Sequence, residues 1–256
     1  MSARPEPETV APPGPRVVSA RTVIVVPALN EEGSIGAVVT AARRALPGGM
    51  ALVVDDGSQD ATAAEGRRAG AQVLQLPFNC GIGVAVQTGL RAAVDAGADV
   101  VVRLDGDGQH DAAEIAKLVA AVEAGADIAV GSRFLVPAAG YRSSPLRRVG
   151  IRWFAFVLRL VGAGTVTDPT SGFFAANRRT AQLLARHYAS DYPEVDTIVR
   201  LARWGYRRVE VPVEMHERQA GSSSIRGTAI IVYMVRITAA ILVTWLESVG
   251  PAADVR

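Results

Sequence analysis

The feature that most constrains this chain is a recurring unit: a short apolar run, a polar loop, then apolar residues spaced as the buried face of a helix. Thr22 to Val26 is such a run, and Ile35, Val38, Val39 and Ala42 follow at helical spacing. Ala51 to Val54 repeats the pattern ahead of an Ala-rich helix, and Gln72 to Leu76 gives a third strand. A helix from about Val84 to Ala96 precedes the strand Val100 to Leu104. Ile115, Leu118, Val119 and Val122 then form one helical stripe ahead of Ile128 to Val130. Short strands alternating with helices predict an α/β fold, a mostly parallel Rossmann-like sheet with helices on both faces. No internal repeat of longer period is present.

In such sheets ligands bind at the carboxyl ends of the strands. Those ends carry the polar motifs: Pro27-Ala28-Leu29-Asn30-Glu31, Asp55-Asp56-Gly57-Ser58 and Asp105-Gly106-Asp107-Gly108-Gln109. Three loops are expected to meet in one cleft. Beyond Arg133 the pattern loosens into a Pro/Gly/Ser segment, a helix from about Leu146 to Val161, a loop from Asp168 to Phe174 and a strand near Val209 to Val213.

Composition sets the limits. A chain of 256 residues, 49% hydrophobic and 20% charged, can bury one large core. The net charge of +2 gives no field for nucleic acid, so any anion site is local. One cysteine, Cys80, and three histidines offer neither an intrachain disulfide nor zinc-ligand spacing, which fits a cytoplasmic setting. Residues 1–20, rich in Pro, Ala and Arg, read as a disordered lead-in without a secretory signal. The main domain is expected over residues 21–216, with a basic and Ser-rich loop and an apolar helix over 217–256. Thr228 to Leu246 is apolar but for Arg236 and falls short of a clean span. It reads as a segment that lies on a membrane, dips into it or packs as a core helix.

Two aspartates one residue apart, Asp105 and Asp107, can present carboxylates to one hard cation, with Gln109 adding a neutral oxygen. Mg²⁺ or Mn²⁺ there would neutralise a diphosphate leaving group. Seen alone, the same string reads as an ordinary acidic turn. Ser58 or Asp60 is expected to cap the next helix, and the carboxylates of Asp55 and Asp56 can also accept from a base or ribose. Asn79-Cys80-Gly81-Ile82-Gly83 precedes a helix, where glycines admit close backbone approach and the helix start favours an anion.

Arg133 has a fork suited to phosphate, and Arg147, Arg148 and Arg218 could complete an anion cluster or stay solvated. Asp168 reads as a turn residue, as a group that positions an acceptor, or as a base. Glu194 and Asp196 read as favourable charges at a helix start or as a base for a hydroxyl acceptor. His110 and His216 read as hydrogen-bonding residues or as contacts for a diphosphate.

In this order and at these intervals the motifs resemble the family 2 glycosyltransferases of GT-A fold, from about Val23 to Val213. Asn79 to Gly89, the Asp105 to His110 string, Gly131-Ser132-Arg133, Asp168-Pro169-Thr170-Ser171-Gly172-Phe173 and the run from Arg218 to Ser224 are similar to the dolichol- or polyprenyl-phosphate sugar transferase branch. That resemblance implies an inverting, metal-dependent transferase using Mg²⁺ or Mn²⁺. Pro27, Ala28, Asn30, Glu31, Asp55, Asp56, Asn79, Gly83, Asp105 and Gly106 would hold the nucleotide-sugar, and Asp105, Asp107 and Gln109 the metal. Asp107, Arg133 and Asp168 would be catalytic, and Arg133, Arg147 and Arg218 would receive the acceptor phosphate. The implied donor is a nucleoside-diphosphate-sugar, a UDP-sugar ahead of GDP-mannose. The implied acceptor is a polyprenyl phosphate at the inner face of the cell membrane, where a small membrane partner protein could add an anchor. Many relatives of that branch continue into transmembrane helices where this chain stops. Two other readings stay open: a sugar hydroxyl or small-molecule acceptor, and a membrane-associated module that binds the donor without turnover.

Overall fold

The computed structural model describes residues 21–135, 145–215 and 229–247, the last two stretches without the side chains of their first three residues. In chain order the elements are β1 (Thr22–Ala28), α1 (Ile35–Ala45), β2 (Met50–Asp55), α2 (Thr62–Arg68), β3 (Gln72–Gln75), α3 (Ile82–Asp95), β4 (Val100–Arg103), α4 (Ile115–Glu123), β5 (Ile128–Ser132), α5 (Pro145–Leu160), β6 (Phe174–Asn177), α6 (Arg178–His187), α7 (Pro193–Arg203), β7 (Arg208–Pro212) and α8 (Ala229–Glu247).

The strands form one seven-stranded sheet in the order β3-β2-β1-β4-β6-β5-β7. All neighbours run parallel except β6, which is antiparallel to β4 and β5. The expected α/β fold with a mostly parallel sheet is what forms. Sequence patterning did not reveal β6: its four residues, Phe-Ala-Ala-Asn, include no β-branched side chain, and pairing on both sides makes it a strand.

Period-two alternation explains why the central strands are apolar throughout. From β1, Ile24, Val26 and Ala28 join the core shared with Ile35, Val38 and Val39 of α1 and Ile115, Leu118 and Val119 of α4. Val23 and Val25 face the opposite core, with Ala85, Val86 and Leu90 of α3 and Leu183 and Leu184 of α6. A third core lies away from the sheet, where Phe154 and Leu158 of α5, Ile198 and Val199 of α7, and Ile237 and Ile241 of α8 pack together.

The apolar tail therefore packs on the domain along one side. A buried hydrogen bond from Thr244 Oγ1 to Asp196 Oδ1, 2.8 Å long, fixes α8 to α7. Among the described residues, no helix is long and apolar enough to cross a membrane.

Candidate donor site

The loops after β1, β2 and β4 come together as expected. The first two are joined by hydrogen bonds from backbone N–H groups to side-chain oxygens. Asn30, at a left-handed φ of 54°, donates its N–H to Ser58 Oγ at 2.9 Å and accepts from Gln59 N–H on its own side-chain oxygen at 3.0 Å. Glu31 N–H donates to Thr62 Oγ1 at 2.7 Å. Neither Ser58 nor Asp60 is the N-cap of α2, a position held by Ala61; Asp60 Oδ1 accepts from Thr62 N–H at 2.9 Å just ahead of it, and Ser58 Oγ accepts from Asn30.

Asp55 and Asp56 are buried and do structural work. Asp55 accepts from Ser58 N–H at 2.9 Å and from Gln75 Nε2 at 3.2 Å, which braces the loop from inside. Asp56 accepts from Cys80 N–H at 2.8 Å and Gly81 N–H at 2.9 Å, so its carboxylate holds the segment leading into α3. Gly83, the second residue of α3, is not among the residues that line the cleft between these loops. A Cβ there would lie 2.3 Å from the carbonyl oxygen of Ala189, so the glycine lets α3 pack against residues 189–190.

The loops enclose an open cleft of about 500 Å³. Of the expected donor residues, Pro27, Ala28, Glu31, Asp56, Asn79, Asp105 and Gly106 line it, together with Asp107; Asn30, Asp55 and Gly83 support it from outside. Gln109 stands at its edge, its N–H donating to Asp107 Oδ1 at 3.0 Å.

The cleft floor includes a residue that the motif reading missed, Arg103, the last of β4. Its guanidinium donates to Asp105 Oδ1 at 3.1 Å, to Glu194 Oε1 at 3.0 Å and to the Tyr188 hydroxyl oxygen at 2.7 Å. Burial opposes its charge, but Tyr188, Asp105 and Glu194 outweigh that and raise its pKa above the ordinary arginine value. Burial likewise works against ionisation of Asp105, and Arg103 foremost holds its carboxyl below the usual carboxylate range. Burial pushes His110 below the ordinary imidazole value. Its Nδ1 accepts the Asp105 N–H at 3.3 Å, and its ring stacks on Phe173 with centroids 4.9 Å apart. The visible signal was a lone arginine ending an otherwise apolar strand.

Asp105 and Asp107 suit a divalent cation in one particular way. Among the described residues no three acidic, His or Cys side chains converge on a closed metal cage. Two carboxylates at the rim of a cleft match instead the way Mg²⁺ is held by one or two protein carboxylates plus substrate phosphates.

Arg133 and Asp168 are brought together, though in each other's service. Arg133 Nε and Nη2 donate to the two carboxylate oxygens of Asp168 at 2.6 and 2.7 Å, and Nη2 also reaches Thr170 Oγ1 at 2.8 Å. The fork expected to meet an acceptor phosphate is thus turned onto Asp168. Of the other expected phosphate contacts, Arg218 and His216 lie outside the described residues, as does the side chain of Arg147; the Ser-rich run of the resemblance lies outside them too.

Comparison with known proteins places this geometry in a family. The model of glycosyl transferase family 2 matches residues 23–183. The polyprenol monophosphomannose synthase of Mycolicibacterium smegmatis is 32% identical over 241 residues, covering 90% of this chain and 88% of that protein. The undecaprenyl-phosphate mannosyltransferase of Micrococcus luteus is 32% identical over 230 residues, covering 85% of this chain and 93% of that one. The glucosyl-3-phosphoglycerate synthase of Mycobacterium tuberculosis, solved with Mn²⁺, UDP-glucose and phosphoglyceric acid, superposes with a TM-score of 0.67 at 23% identity, over 95% of this chain and 87% of that one, and so shares the fold. This chain belongs to glycosyl transferase family 2 and groups with its polyprenyl-phosphate sugar transferases.

Proposed function

We propose that this enzyme moves a sugar from a nucleoside-diphosphate-sugar to a polyprenyl phosphate at the cytoplasmic face of the cell membrane. The observation that carries the reading is the pairing of the acidic cleft with an exposed apolar face on α5 and α8. On α5, Phe156 and Leu160 are 54% and 70% exposed, beside Val149 and Trp153; on α8, Val235 and Leu246 are 63% and 67% exposed. Arg148, Arg152 and Arg159 are interspersed along α5 and exposed. Aromatic and aliphatic groups mixed with arginines suit the boundary between headgroups and acyl chains, so the helices lie on the bilayer. The similarity to enzymes named for polyprenol and undecaprenyl phosphate supports the same acceptor. The mannose in those names favours GDP-mannose beside the UDP-sugars as donor.

The chemistry follows from the acceptor. A phosphate monoester, with a second pKa of about 6, is largely dianionic at neutral pH and attacks without a base. Its oxygen forms the bond to the anomeric carbon while the bond to the diphosphate oxygen breaks and the nucleoside diphosphate departs, with inversion. Asp105 and Asp107 would hold the metal at the diphosphate end, Asp107 the more directly because Asp105 is paired with the Arg103 cation whereas Asp107 Oδ1 accepts the neutral Gln109 N–H. Mg²⁺ or Mn²⁺ supplies countercharge to the leaving diphosphate. The pair Arg133 and Asp168 fixes the loop that faces the acceptor.

The test is incubation with a panel of nucleotide-sugars, Mn²⁺ and a short-chain polyprenyl phosphate, reading nucleoside diphosphate release and glycolipid together. Glycolipid formation that depends on lipid and metal is expected. Turnover with soluble phosphorylated or sugar acceptors alone would overturn the lipid reading, and an intact donor throughout would overturn the enzymatic one.

A further inference from the structure

We propose that Arg103 is a positioning residue of the donor site, holding Asp105 in place for the diphosphate. This assignment rests on the donor-site reading above. Along β4, Val100 and Val102 face one core and Val101 the other, so period-two alternation sends the Arg103 side chain toward the α3 and α6 side. An apolar residue is the ordinary occupant of such a central-strand position, since a buried charge is costly unless paired. The side chain is nevertheless only 4% exposed, and its Nε finds no acceptor among the described residues. The arrangement keeps this cost.

Four separate segments have made room for the guanidinium. Asp105 comes from the loop after β4, Tyr188 from the end of α6 and Glu194 from the first turn of α7. The fourth is Gly172, in the loop before β6. A Cβ at Gly172 would sit 2.6 Å from Arg103 Nη2 and 2.8 Å from its Cζ, so only glycine lets the fork lie there. An arginine end usually moves aside for a methyl group, but this one is pinned on three acceptors and can move only by losing them. The result is a carboxylate, Asp105, fixed in the cleft lining near Asp107, with its charge balanced from behind by a group whose other two partners lie at the end of α6 and on α7.

The experiment is calorimetric titration of the full chain with UDP and with GDP, each with Mn²⁺, and with the corresponding monophosphates without metal. For the nucleotide that the wild type binds, Arg103→Met is expected to weaken the diphosphate complex roughly ten- to a hundredfold, as for loss of charge-assisted hydrogen bonds. The monophosphate should lose much less, whereas a general loosening would weaken both alike. Gly172→Ala, which leaves every charge in place, should reproduce the loss by displacing the fork. Arg103→Met with Gly172→Ala should be no weaker than Arg103→Met alone. If Arg103→Met does not fold, Arg103→Lys and Gly172→Ala carry the same comparison. Diphosphate binding at wild-type strength in folded variants, or additive losses in the double variant, would overturn the assignment alone. A wild type that binds neither nucleotide would overturn the donor-site reading and this assignment with it.

Discussion

Arg133 and Asp168 face one another as a buried two-pronged pair, 35 residues apart in sequence, with side chains 6% and 0% exposed. Asp168→Asn leaves the guanidinium buried without its countercharge, a change that costs about 3–5 kcal/mol. A clear fall in melting temperature and loss of transfer are expected. Replacing both partners with apolar residues, Arg133→Met with Asp168→Leu, should recover most of the melting temperature without recovering transfer. Recovery of both would show the pair to be scaffold only.

Asp107 tests the metal end of the site. It is half-buried at the cleft rim, so Asp107→Ala should leave the melting temperature within a few degrees, as for substitutions outside the core. Transfer should fall by at least about a hundredfold, the scale for removing a charge-stabilising group. Chelation with EDTA should abolish wild-type turnover, and added Mn²⁺ or Mg²⁺ should restore it. Undiminished turnover in EDTA would exclude a metal requirement.

Gly83 makes a prediction about stability alone. A methyl group there meets the backbone of Ala189 and Ser190, which cannot swing aside as a side chain could. Gly83→Ala should lower the unfolding free energy by roughly 1–3 kcal/mol through overpacking. The denaturant midpoint reads this directly, and an unchanged midpoint would mean that α3 shifts freely.

The face of α5 and α8 can be tested without touching the cleft. Phe156→Asp with Val235→Asp places charge where both side chains are exposed, so folding should be preserved. Binding to vesicles containing anionic lipid should drop at least about tenfold, since burial of apolar area drives such association. Turnover with a short-chain acceptor in detergent should persist. Vesicle binding equal to wild type would remove the membrane role from these helices.

Much of this was legible from the residues. The alternation of Thr22 to Val26, Ala51 to Val54 and Val100 to Leu104 with helical stripes requires a sheet covered on both faces, because each apolar set must be buried. The polar loops then had to gather at one edge, and Asp105 and Asp107 fall in the cleft there. The strand at Phe174–Asn177 escaped because only Phe174 of its four residues favours a strand; two neighbours in space supply the rest. Asp55 and Gly83 were read for a ligand; neither lines the cleft, Asp55 accepting from Ser58 N–H and Gly83 packing against residues 189–190, contacts that only the neighbours in space reveal.

Local pattern and the order of motifs determined the fold class, the family and the edge of the sheet that carries the site, because periodicity and strand ends are properties of neighbours along the chain. Only the tertiary structure decided who partners whom. It turned Arg133 onto Asp168, placed Arg103 between Asp105 and Glu194, and set the tail helix against α7. Apart from Arg103 with Asp105, two residues along, those pairings join residues far apart in sequence. Burial sets their strength, since a charge inside the protein must find its partner in space.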